Sequence, residues 1–152
     1  MHIILDLFTN KIFLAPAVAW VVSQIINTII DFKKAGFNKE RMVCGSGMPS
    51  SYGAVFAALI IITGLMLGTG SFEFAIVLIV AIVVINDARG VRYETQRQGR
   101  ALNNLNEERQ EEGKQPLDIK KFREKLGDYT KDIVVGVILG IASAILVYYL
   151  PI

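Results

Sequence analysis

In 152 residues the chain has one histidine, His2, and one cysteine, Cys44. A lone cysteine excludes an internal disulfide and leaves the redox compartment open. A lone histidine excludes any mechanism that needs two imidazoles in one pocket. The opening MHIILDLFTNK has acidic Asp6 and no basic residue ahead of its short apolar stretch, so a cleavable signal peptide is not expected. Strongly basic or RNP-like patterns are missing too, which argues against a nucleic-acid partner. Charge itself is scarce over long stretches. With 53% apolar residues and a mean hydropathy of +0.45, the composition is that of a membrane protein and the length that of a single domain, 1–152.

Four stretches match the roughly 20 apolar residues that a helix needs to cross a bilayer core. Residues 12–30 hold no charge over 19 positions, although Pro16, Ser23, Gln24 and Asn27 give this stretch one polar stripe. Residues 53–72 and 133–152 are each uncharged over 20 positions. The stretch between Glu73 and Asp87 has only 13 uncharged residues, so it must bring one or both carboxylates to an interface in order to span. Tyr148 and Tyr149 suit an interfacial aromatic anchor. The expectation is an all-α integral membrane bundle of about four transmembrane helices, at about 12–30, 50–70, 71–88 and 132–150.

Cations set the orientation, because cytoplasmic loops are enriched in Lys and Arg. Of the 16 Lys and Arg residues, only Lys11 lies outside segments 33–41 and 89–131. Both termini are therefore expected outside and both basic segments in the cytoplasm, with the plasma membrane as the expected location. The long polar segment, about 89–131, is expected to be a cytoplasmic helical hairpin. Leu102 and Leu105, then Leu117, Ile119, Phe122 and Leu126, recur at spacings compatible with two short amphipathic helices on the bilayer surface or over the bundle end.

The unusual residues gather at the same membrane face. The tract CGSGMPSSYGA at 44–54 has the chemistry of a helix start: Gly45 and Gly47 permit close backbone approach, Pro49 suits a first helical turn, and Ser50 or Ser51 suits a cap. Exposed N–H groups beside hydroxyls also suit an anion. Asp87 follows an apolar run and is trailed by Arg89 and Arg92, and an ionisable group at membrane depth invites a functional reading as much as an interfacial Asp87–Arg92 ion pair. Asp128 and Asp132 stand four apart on one helical face, where acidic residues also complement the helix dipole. Asn27, at the end of the first span, joins them, so that one polar pocket is expected to contain Asn27, Gly47, Ser50, Ser51, Tyr52, Asp87, Arg92, Asp128 and Asp132.

MPSS-x-x-A, then N-D-A-x-G-V-R with a following L-N-x-L, then L-G-x-x-x-x-D-x-x-x-G-x-x-L-G, run in order along the chain. By these motifs the chain resembles the divergent branch of the type 2 phosphatidic acid phosphatase superfamily, relatives of the vanadium haloperoxidases. The resemblance covers the first span to the fourth. It implies an all-helical membrane protein, and its catalytic members hydrolyse phosphate esters or anhydrides through a phosphohistidine. Three positions depart from that pattern: Tyr52 stands where the serine motif has its histidine, Asp128 where the nucleophilic histidine stands, and Asn27 where a lysine is expected. Gly47, Pro49, Ser50, Ser51, Asp87, Gly90, Arg92, Asp132, Gly136 and Gly140 fit it.

Three readings follow from the residues and the resemblance together. In the first, the protein binds a lipid or polyprenyl phosphate through Gly47, Ser50, Ser51, Tyr52 and Arg92 without the family's usual chemistry. In the second, it is a phosphatase with replaced chemistry, with Asp128 as nucleophile or with Asp87, Asp128 and Asp132 holding Mg²⁺. In the third, it is a small dimeric transporter or channel, which draws on the polar stripe and on the small-residue pairs Gly64/Gly68 and Gly136/Gly140. Membrane lipids are the expected surroundings, and a homo-oligomer is compatible with so small a bundle.

Overall fold

The computed structural model describes residues 2–35, 47–117, 121–122 and 127–151. Cys44, Gly45, Ile119 and Leu126 lie outside the described residues. Among those described there are six helices and no strand: α1 (His2–Thr9), α2 (Lys11–Ala35), α3 (Ser51–Leu67), α4 (Phe72–Arg89), α5 (Val91–Glu111) and α6 (Thr130–Tyr149). Helices α2, α4 and α6 are long and apolar enough to cross a membrane, and α3 is a shorter apolar helix of 17 residues. The chain is thus a helical membrane bundle.

Local chemistry sets the ends of these helices. At 1.5 Å per residue, α3 is about 25 Å long. It stops at Leu67, short of the expected end near 70, because Gly68 takes a positive φ of 83° and Ser71 caps the next helix by accepting from the Phe74 amide. The short uncharged run of the third span is resolved in the same way. Glu73 falls in the first turn of α4 and Asp87 in its last, so both carboxylates reach the ends of the span.

The core is built from small residues: Ala15 and Ala19 of α2, Ala54, Ala58 and Ile62 of α3, and Ala144 and Val147 of α6. Small side chains let helix backbones approach, which is how helices associate in lipid, where burial of apolar surface gives little advantage. The α3–α6 crossing is the tightest. A Cβ placed on Gly136 would strike the Ser50 carbonyl and one on Gly140 the Ala54 carbonyl, while Gly53 faces the backbone of Ile133. The Gly136/Gly140 pair is therefore consumed within the chain. Gly64 packs on the Phe74 ring, and Gly68 is a helix cap. Helix α4 leans on α3 and leaves Ile76, Ile79, Ile82 and Val83 exposed, an apolar face fit for acyl chains.

The polar segment forms a hairpin whose first arm is helix α5. Its described return residues, 114–117 and 121–122, are not helical. They lie along α5 through asparagine side chains: Asn103 both donates to the Phe122 carbonyl at 2.9 Å and accepts from its amide at 2.9 Å, and Asn106 accepts from the Leu117 amide at 2.7 Å. These side chains take over the backbone pairing that a second helix would have supplied, which accounts for the missing amphipathic helix at these positions.

Candidate functional site

Lys11 donates to the carbonyl of Tyr148 at 2.9 Å, so the start of α2 lies beside the end of α6. The other ends of these helices, with the start of α3 and the α4–α5 junction, meet at the opposite end of the bundle. His2 belongs to the separate helix α1, which precedes the Lys11 end of α2.

Ser50 organises this end. Its extended backbone makes it the N-cap of α3, and its Oγ accepts from the Gly53 amide at 3.1 Å. Pro49 therefore precedes the helix and does not occupy its first turn. The same Ser50 hydroxyl donates to Asp128 Oδ2, and the Ser50 amide donates to the Asp132 carbonyl at 2.9 Å. Asp128 in turn donates its amide to the carbonyl of Ala88 at 3.3 Å. One serine thus links the start of α3 to the start of α6, and the next contact links α6 to α4.

The polar stripe of α2 meets the same turn. Ser23 donates to Ser51 Oγ at 3.1 Å, Gln24 Nε2 lies 3.5 Å from it, and Asn27 donates to the Pro49 carbonyl at 3.0 Å. Ser23 is fully buried and Asn27 nearly so. Gly47 lies so close to the Asn27 amide that a Cβ there would approach its Oδ1 to 2.7 Å. Ser23, Gln24 and Asn27 of the stripe are thus engaged in contacts with the start of α3.

Arg92 forms the accessible half of the site. Its Nε donates to Asp87 Oδ2 at 2.7 Å, an Nη donates to the Tyr52 hydroxyl at 2.5 Å, and the guanidinium lies over the Tyr52 ring at 4.7 Å. The two charged side chains are 39% and 41% exposed, and such a pair contributes about 0–1 kcal/mol to folding. Gly90, where α4 gives way to α5, brings Asp87 and Arg92 to the same side.

Asp128 is the buried half. It is 2% exposed, and its Oδ1 has no hydrogen-bond partner among the described residues. Burial pushes its carboxyl above the usual carboxylate range. The Ser50 hydroxyl opposes the shift, the Asp132 charge adds to it, and the Gly47 amide and Arg92 oppose it. A folded-state pKa raised above the unfolded value of about 3.9 means that the folded state holds this proton more tightly. The resulting stability is complete below the unfolded value and is lost as pH rises through the folded one. Thermal unfolding in detergent should accordingly show wild type losing stability relative to Asp128→Asn across that window, with the variant the more stable at neutral pH. A pH-independent difference between the two would contradict this.

The three carboxylates expected to hold Mg²⁺ do not converge. Asp87 is turned to Arg92, Asp128 to Ser50, and Asp132 to the Tyr129 amide at 3.4 Å, reaching back over its own helix start. Among the described residues no group of three His, Cys, Asp or Glu side chains is arranged to hold a metal ion. Ser50 meets the Asp128 carboxylate and the Asp132 carbonyl, Asn27 meets Gly47 and Pro49 at the same turn, Ser51 meets Ser23, and Tyr52, Asp87 and Arg92 form a second group. Sequence reasoning left Gln96 out; it is buried and accepts from the Gly127 amide at 3.2 Å, but nothing in the polar pattern of α5 marks it among its neighbours.

The fold and this convergence define a helical membrane protein with a polar site at one end of its bundle. The chain belongs to the Divergent PAP2 family, which it matches over residues 8–143. It is also 30% identical, over 159 aligned positions, to the uncharacterized membrane protein YuiD of Bacillus subtilis (strain 168), an alignment covering 95% of this chain and 98% of that one. No solved structure matches it.

Proposed function

We propose that the protein binds a lipid or polyprenyl phosphate at this end of the bundle without phosphohistidine chemistry. The observation that carries the reading is Arg92, half-exposed, supported by Tyr52, and adjacent to the serine-rich start of α3. A planar guanidinium suits phosphate oxygens, and it has five N–H donors, of which the described contacts use two. Backbone amides at a helix start add further donors. The phosphohistidine reaction needs two histidines in one pocket and the chain has one, His2, while by the resemblance Tyr52 and Asp128 stand at the two histidine positions. Aspartyl attack is disfavoured as well: Asp128 is sealed from solvent and already bonded to Ser50. The clustering of cations in segments 33–41 and 89–131 favours placing this end in the cytoplasm. Binding of phosphatidic acid by purified protein in phosphatidylcholine nanodiscs tests the reading. Saturable binding that diacylglycerol does not reproduce is expected, and its absence would remove the proposal.

A further inference from the structure

We infer that Asp87 is an internal competitor for the phosphate site, so that a ligand must displace it from Arg92 to bind. The inference rests on the phosphate reading above. Asp87 touches Arg92 through one oxygen on one nitrogen, Nε. That nitrogen forms one edge of the guanidinium fork, the edge through which an arginine grips a phosphate with two parallel bonds. Tyr52 holds the guanidinium from another nitrogen and from its ring face, so releasing Asp87 leaves Arg92 in place.

Three features make Asp87 the displaceable partner. It lies in the last turn of α4, where a negative charge is opposed by the helix dipole. It is 41% exposed, so it can turn to water without stranding a buried charge. Its contact with Arg92 is single, whereas a phosphate brings more charge and more acceptors. Asp128, by contrast, is buried and bonded to Ser50, and it remains where it is. The chain thus keeps Arg92 neutralised while the site is free and exchanges one anion for another on binding.

The alternative role for Asp87 is to position Arg92, and the two roles predict opposite signs. Phosphatidic acid binding in phosphatidylcholine nanodiscs is measured for wild type, Asp87→Asn, Asp87→Ser and Tyr52→Phe, with inorganic phosphate as a competitor. The expected result is tightening of about three- to tenfold in both Asp87 variants and weakening in Tyr52→Phe. Competition by millimolar phosphate would make the phosphate group itself the ligand; without competition, the lipid supplies part of the recognition. Either variant of Asp87 is sufficient should the other fail to fold. Unchanged or weaker binding in the folded Asp87 variants overturns this inference alone, whereas a wild type that binds no phosphatidic acid at all removes the phosphate reading beneath it.

Discussion

Replacing Gly140 with leucine should prevent the bundle from assembling, and Gly136→Leu should do nearly the same. The cause is steric and involves backbone on both sides. A Cβ on Gly140 would meet the Ala54 carbonyl, the Ala57 Cβ and the Ala58 amide, and one on Gly136 would meet the Ser50 carbonyl and the Ala54 amide. None of these atoms is the far end of a flexible side chain, so α6 must move bodily off α3. Overpacking a well-filled core costs about 1–3 kcal/mol even where side chains can shift, and here they cannot, so a loss above about 3 kcal/mol is expected. Moving α6 also pulls the Asp132 carbonyl from the Ser50 amide and Asp128 from the Ser50 hydroxyl, so fold and site should fail together. Gly70→Ala is the matched control, since a Cβ there meets nothing within 4 Å. Thermal unfolding followed by size-exclusion chromatography in detergent reads the outcome. If Gly140→Leu instead gave a folded monomer from a wild-type dimer, the glycines would serve an interface between chains, and the packing described for them would be wrong.

This crossing also shows what the sequence revealed and what it hid. Uncharged runs located the apolar helices, because lipid excludes charge from a span regardless of the partners the helix finds. The glycine pair advertised close packing but not its partner, since spacing on one helix says nothing about which helix lies opposite. The same limit applied to the site. Asp87 and Arg92, five residues apart, were readable as a pair from local spacing, and Ser50 as one of two candidate caps from its setting ahead of an apolar run. The bonds from Ser50 to Asp128, 78 residues apart, and from Asn27 to Pro49 arise only when four helix ends meet. Asp128 and Asp132 stand apart for a related reason: they share a helical face by count, but Asp128 precedes the helix and Asp132 folds back over its start.

Arg92→Ala should abolish phosphatidic acid binding, or weaken it by about ten- to a hundredfold, while leaving the fold intact. Charge-assisted hydrogen bonds are worth about 1.5–3 kcal/mol each, and each 1.4 kcal/mol is tenfold in affinity, so one such bond alone accounts for a loss of about ten- to a hundredfold and a two-bond grip for outright abolition. The fold should survive because the Asp87–Arg92 pair is exposed and contributes little. What remains in the variant is Tyr52, free of its cation, and a serine turn whose hydroxyls are already engaged: Ser50 with Asp128 and the Gly53 amide, Ser51 with Ser23. Neither offers a ready grip on a phosphate. Arg92→Lys separates charge from geometry. A lysine keeps the positive charge but presents a point where arginine presents a fork, so it should restore only part of the affinity, with a salt dependence closer to that of a simple ion pair. Full recovery by lysine would reduce the site to a generic basic patch. Binding unchanged in Arg92→Ala would place any lipid phosphate elsewhere on the protein, and the convergence of helix ends around Ser50 would then be purely architectural.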